Sequence, residues 1–318
     1  EIPKTFPAVL GHEGSGMVEE LGQGVTRFSP GDHVMLSWFP ACGTCFFCQR
    51  DRPNMCETYR PFLEKGTAMD GKSRLHLNGK PLTQFSTHST FAEYAVVPEQ
   101  ACIPLDPEVS LDAASLVGCA VMTGVGAAVY TAQVRPGETV VVFGCGGIGL
   151  NILQGAALCG AEIIVAIDTV PSKFDSARMF GATHTINAKE DVRQGLLDLT
   201  DGRGIDHAFD ATGNPSVQEN AIYSLRRGGA LILVGVAPHD ARVSIDTFRM
   251  HHQETRVLGC FYGTGNCQRD FPRMIELYKS GRLRLDELIS RKSPLNEINE
   301  VYTDMLAGKI NRGVLTLG

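Results

Sequence analysis

The sequence has no run of 18 or more apolar residues, so no segment is long enough to span a bilayer as a helix. Positive charge is not concentrated anywhere. Lys and Arg are scattered and the net charge is −6, which excludes a nucleic-acid footprint. Disulfide density is also missing, because ten cysteines in 318 residues do not make a secreted mini-domain. Four of them sit at metal spacing and six lie in apolar or loop contexts, a distribution expected of a reducing, cytoplasmic compartment. There is no initiator Met. Residues 1–10 carry neither the charged nor the apolar region of a signal peptide, so the chain is expected to begin inside a domain. Internal repeats and low-complexity tracts are absent, and Trp38 is the single tryptophan. What is present is ordinary: 43% hydrophobic and 20% charged residues, in a chain long enough for two cores.

Up to about residue 104 the text reads as short strands and glycine turns. Residues 16–21 and 25–28 are brief extended pieces, 29–32 a turn, 33–38 a strand and 90–97 another. Residues 58–89 form a long polar stretch with turns at Asp70-Gly71 and Asn78-Gly79, read as an insertion with one hairpin. Residues 111–130 look like one helix of small side chains. Then strands at 139–143, 162–167, 184–186, 206–210 and 230–236 alternate with helices at 148–158, 172–180, 192–199 and 216–225. That alternation predicts a parallel sheet covered on both faces, a doubly wound α/β domain. Helices at 271–280 and 295–307 and a strand at 313–317 close the chain.

Two motifs carry chemistry. Gly144-Cys145-Gly146-Gly147-Ile148-Gly149 fits G-x-G-x-x-G, directly after an apolar strand and opening a helix. Gly144 permits the tight turn, Gly146 lets backbone N–H groups reach a pyrophosphate, and Gly149 allows close helix packing. The helix N-terminus at Gly147 and Ile148 adds partial positive charge. Asp168 ends the next strand 19 residues after Gly149, where a carboxylate accepts ribose hydroxyls and repels a 2′-phosphate. NAD rather than NADP follows, with Lys173 in reach of the same ribose. Second, Cys42-x₂-Cys45-x₂-Cys48-x₇-Cys56 packs four thiols into a short loop, the donor set of a closed, structural zinc site. Arg50 and Arg52 are expected to offset its negative charge.

Gly11-His12-Glu13-Gly14-Ser15-Gly16, followed by Gly22 and Val25, is similar to the signature of zinc-containing alcohol dehydrogenases of the medium-chain dehydrogenase/reductase family. The resemblance extends to the four-cysteine lobe, Leu116-Val117-Gly118-Cys119 before Thr123-Gly124, the glycine loop with Asp168, and Gly308 to Arg312. The long 58–89 stretch resembles the liver-type and glutathione-dependent formaldehyde dehydrogenase branch. The resemblance implies a Rossmann coenzyme domain and a mainly β, GroES-like catalytic domain. The catalytic domain would occupy 1–120, with the zinc lobe at about 40–58, the NAD domain 121–261, and 262–318 a return to the catalytic domain. His12 and Cys119 would be catalytic-zinc ligands, with Glu13 behind them. Thr123 would lie against the nicotinamide, Val234, Cys260 and Tyr262 would serve its carboxamide, and Arg312 would contact the pyrophosphate. The family's first zinc ligand lies upstream of anything in this sequence, so only two of three are expected here.

The implied activity is hydride transfer between NAD and a small-molecule alcohol or its carbonyl, in a homodimer. Bottom-up chemistry agrees, since Zn²⁺ with an open position lowers the pKa of a bound alcohol. Trp38, Phe39, Phe85 and Phe261 give the pocket an apolar character. Three alternatives stand beside this reading: oxidation of an S-hydroxymethyl thiol adduct of formaldehyde, a zinc-free quinone or enoyl reductase, and an inactive NAD-binding scaffold.

Overall fold

The computed structural model describes residues 5–317 and divides them into two compact units, one of residues 5–122 with 265–317, the other of residues 123–264. Each is a separate piece of architecture.

The 123–264 unit is built on a six-stranded parallel sheet, numbered here β1 (Thr139–Phe143), β2 (Ile163–Asp168), β3 (His184–Asn187), β4 (Ile205–Asp210), β5 (Leu225–Leu233) and β6 (Arg256–Gly259). Their spatial order is 3-2-1-4-5-6. The order reverses between β1 and β4, the switch point outside which doubly wound sheets bind dinucleotides. Val140, Val141, Val142, Val165 and Ala166 are fully buried, because helices cover both faces and leave no polar side. Helix Gly147–Leu158 therefore buries most of its residues rather than a single stripe. A Cβ on Gly155 would meet Ala128 at 2.9 Å, so glycine lets this helix close on the segment before β1.

Four elements differ here from what the sequence pattern predicts. β5 starts at Leu225, and helix Pro215–Tyr223 ends two residues before it, where a strand start at 230 and a helix end at 225 were expected. Arg226 and Gly228 sit in that early part, and a register shift between Ile205 and His207 accommodates it. β6 and helix Thr247–Gln253 were not read from sequence, since neither carries a clear periodicity.

The other unit mixes short strands with helices, the longest of them Cys267–Lys279 and Ile298–Leu306, so the expected mainly β character does not hold for the unit as a whole. Gly14–Met17, His33–Leu36 and Cys102–Pro104 form an antiparallel sheet, with Gly14 opposite Leu36 and Leu36 opposite Cys102. Ile289–Pro294 pairs in parallel with Arg312–Thr316, and His76–Leu77 with Lys80–Pro81 makes the expected hairpin around Asn78-Gly79. Residues 90–97 form no strand. Thr90 and Phe91 donate to Gly11 and Leu10, and the chain beyond runs without a ladder, with Tyr94 and Val96 exposed. Residues 25–28 form no strand either; they follow a turn at residues 22–25 closed by Val25 N–H to the Gly22 carbonyl. Residues 111–130 are not one helix either. Leu111–Ser115 runs into a 3-10 turn, Cys119 leaves helical geometry at φ −146° and ψ −67°, and Ala120 begins again. The break follows Gly118, where a Cβ would lie 2.8 Å from the Leu36 carbonyl. No single helix among the described residues is long and apolar enough to cross a membrane.

Candidate functional site

The glycine loop lies at the C-terminal end of β1. Gly144 takes φ +96°, open only to glycine at low cost, and a Cβ on Gly149 would collide with the Gly144 carbonyl. Gly146 precedes the first helical residue, Gly147, with Ile148 next to it in the first turn. Asp168, at the end of β2, is nearly buried. It accepts from Cys145 N–H at 2.8 Å and from Val170 N–H at 3.0 Å, and Lys173 Nζ stands 3.4 Å away. One carboxylate thus braces the loop as well as facing the edge where a ribose would lie. Burial and the charge of Asp168 raise the Cys145 thiol to about 12, which disfavours its thiolate. In the same unit Thr123 is buried, Val234 N–H donates to the Asp210 carbonyl, and Cys260 N–H donates to Leu233. Tyr262 is buried in a left-handed conformation.

The four cysteines converge. Their sulfurs all lie within 4.8 Å of one another, with Cys42 to Cys48 and Cys45 to Cys56 both at 3.9 Å. Zinc–sulfur bonds of ~2.3 Å at tetrahedral angles require sulfurs about 3.8 Å apart, so the loop has the dimensions of the ion. Backbone N–H groups of Thr44 and Cys45, and the Thr58 hydroxyl, point at Cys42 Sγ. Burial alone would raise that thiol, but these donors outweigh it and bring it to about 5. Cys45 is also lowered, while burial and its neighbours push Cys48 up to about 12 and Cys56 upward. Four thiolates repel one another, and a central dication holds all of them ionised. Arg50, in the same loop, packs on an aromatic ring. Its guanidinium lies over the Phe46 ring at 3.8 Å.

His12 immediately precedes the Gly14–Met17 strand. The rings of Phe85 and Trp38 stand edge-on to it, at 5.5 and 6.0 Å. Burial and the charge of Arg312 lower its pKa to about 4, which keeps the imidazole in the neutral form a metal requires. Glu13 spans the gap to the second expected ligand. Its Oε1 accepts from Ala120 N–H at 2.8 Å, the amide next to Cys119, and its Oε2 pairs with Arg312. Arg312, which the resemblance set against a pyrophosphate, thus has a carboxylate partner in its own unit. The donor types expected at this place, imidazole and thiol, are ones that suit zinc. A cleft of about 1550 Å³ opens beside His12, lined by the Gly14–Met17 edge and residues 90–97. It exceeds the roughly 300–1,000 Å³ of small-molecule pockets.

Sequence reasoning missed two features. His88 is fully buried beside His12 with neither ring nitrogen hydrogen-bonded. Asp210 organises the turn after β4, and an acidic residue ending an apolar strand, as at Asp168, was the available signal.

Comparison with known proteins fits both units. Residues 2–107 match the family model described as alcohol dehydrogenase GroES-like domain, and residues 147–280 match zinc-binding dehydrogenase. An alcohol dehydrogenase class-3 of Dictyostelium discoideum is 40% identical over 320 residues, covering 98% of this chain and 84% of that protein. An S-(hydroxymethyl)glutathione dehydrogenase of Saccharomyces cerevisiae is 40% identical, with 98% of this chain and 82% of the relative covered. Among solved structures, benzyl alcohol dehydrogenase from Acinetobacter calcoaceticus is similar with a TM-score of 0.91 at 31% identity, covering 99% of this chain and 86% of that one. The chain belongs to the zinc-containing alcohol dehydrogenases of the medium-chain dehydrogenase/reductase family.

Proposed function

We propose that this protein oxidises an alcohol to its aldehyde or ketone with NAD, or runs the reverse reaction, at a zinc centre whose ligands include His12 and Cys119. The observation that carries the reading is the Glu13 bridge, which ties the residue after His12 to the amide after Cys119. Zinc, when bound, acts as a Lewis acid that lowers the alcohol's pKa. The chain's own residues do the rest. His12 is held neutral, Glu13 and Arg312 brace it, and Trp38 and Phe85 exclude water from its flank. A bound nicotinamide would supply the acceptor for the hydride of the carbinol carbon, and the hydroxyl proton would leave to solvent.

On this reading residues 123–264 hold the coenzyme and the other unit the substrate. Asp168 selects NAD, since a 2′-phosphate would meet its carboxylate. Thr123, Val234, Cys260 and Tyr262 serve the nicotinamide end, and Cys42, Cys45, Cys48 and Cys56 hold a structural zinc. A second reading of the substrate, an S-hydroxymethyl thiol adduct of formaldehyde, is favoured by relatives carrying that name at 40–41% identity. The protein is a cytoplasmic homodimer on this account, paired through β6, the edge of the parallel sheet.

The test is NADH formation with a panel of primary and secondary alcohols and with S-hydroxymethylglutathione, using NAD and NADP. Turnover with NAD is expected, and Asp168→Ser should narrow the NAD preference by about tenfold or more. Turnover with NADP alone, or a preference unchanged by the substitution, would contradict the assignment.

A further inference from the structure

Asp210 ends β4, beside the switch point, and is wholly buried. Every partner around its carboxylate is a donor. Oδ1 accepts from Thr212 N–H at 2.8 Å, the Thr212 hydroxyl at 2.6 Å and Gly213 N–H at 3.2 Å. Oδ2 accepts from Gln218 Nε2 at 2.7 Å and shares the Gly213 N–H at 3.2 Å. Its backbone carbonyl takes Val234 N–H at 3.0 Å and Gly235 N–H at 2.8 Å, so one residue ties its own turn to the end of β5.

That turn is wedged between the two places a dinucleotide would touch. On one side Thr212 Cγ2 lies 2.9 Å from where a Cβ on Gly144 would sit. On the other, a Cβ on Gly213 would strike the Val236 carbonyl, and one on Gly235 would strike Gly213 N. No slack remains on either side. In strand order, Asp168 marks the adenosine side at β2, the glycine loop the pyrophosphate at β1, and the ends of β4 and β5 the half beyond.

We infer that Asp210 is the positioning residue for the nicotinamide half of the coenzyme, its buried carboxylate folding the 211–213 turn against Gly144 and residues 234–236. The inference rests on the NAD reading above. An acceptor-only group is needed because four donors converge on it. The substitution Asp210→Asn would turn an NH₂ toward one of them and leave it unpaired.

The experiment measures dissociation constants for NADH and AMP with the wild-type protein, Asp210→Asn, and Asp210→Asn combined with Gln218→Glu. Asp210→Asn should weaken NADH about tenfold, the effect of losing one hydrogen bond to a charged group, and AMP less than about twofold. The double variant restores a donor–acceptor match and should recover most of the NADH affinity. Equal weakening of both ligands, or no weakening of NADH, would overturn the inference. Absence of NADH and AMP binding in the wild type would instead overturn the coenzyme reading itself. If Asp210→Asn does not fold, Gln218→Leu removes only the side-chain donor to Oδ2 and leaves the Gly213 N–H in place. It should weaken NADH about threefold and spare AMP, and an unchanged NADH constant there would also overturn the inference.

Discussion

The four-cysteine lobe and the His12–Cys119 centre are both zinc sites on this account, and they are built in opposite ways. The lobe takes all its ligands from residues 42–56, with the Thr44 and Cys45 amides and the nearby Thr58 hydroxyl already pointing at Cys42 Sγ. The second centre draws on residues 107 positions apart, held together by a single carboxylate between Ala120 and Arg312. A closed loop of thiolates stabilises fold. An open centre assembled by tertiary structure leaves a coordination position for substrate.

Substitutions that treat the two alike should give unlike results. Cys45→Ser removes one of four thiolates, and structural zinc contributes on the order of 10 kcal/mol to folding small domains. Loss of about one zinc per chain and a lower melting temperature are expected, and a well-folded, metal-free variant would break the comparison. Cys119→Ser should reduce kcat/KM by about a thousandfold, ~4 kcal/mol of transition-state stabilisation, with melting temperature and NADH affinity nearly unchanged. A loss of stability as large as that of Cys45→Ser would erase the distinction.

Glu13 sharpens it further. Glu13→Ala removes the bond to Ala120 and leaves buried Arg312 unpaired, whereas Glu13→Gln keeps an oxygen for the amide. Outer ligand partners are worth roughly 10- to 100-fold in activity or metal affinity, so Ala should cost about that much and Gln less. The visible spectrum of the cobalt-substituted protein checks this, because only Ala should change it. Equal spectra for the two variants would remove Glu13 as a brace.

The smallest effect near neutral pH belongs to His88. Burial and the charge of His12 lower its pKa to about 3, from an ordinary value of 6.5. The folded pKa lies below the unfolded one, so its neutral form stabilises the fold fully above about pH 6.5. That contribution is lost as pH falls toward 3. Melting temperature of the metal-free protein should drop across this window and His88→Gln should flatten the drop. An unaltered pH profile would contradict the burial of an unprotonated ring.

Local chemistry was legible in the sequence and assembly was not. Cys42 to Cys56 announce themselves by spacing, and the glycine loop by its place between strand β1 and a helix. The alternation of 139–233 gave the parallel sheet because strands buried on both faces are apolar throughout. Residues 90–97 looked like a strand because aromatic and β-branched residues are common there, but strand formation needs a neighbour and the sequence names none. The break at Cys119 was hidden because its cause, the approach of Gly118 to the Leu36 carbonyl, lies 82 positions away. Arg312 fitted a family position, yet its bond to Glu13 came only from the fold.

The most direct measurement is zinc content per chain and alcohol-dependent NADH formation in one sample of the protein as the cell makes it. The account predicts about two zinc ions per chain, with NADH formed from NAD and lost when a chelator removes the more labile ion. About one zinc ion and no NADH formation would leave the lobe standing and contradict the catalytic centre.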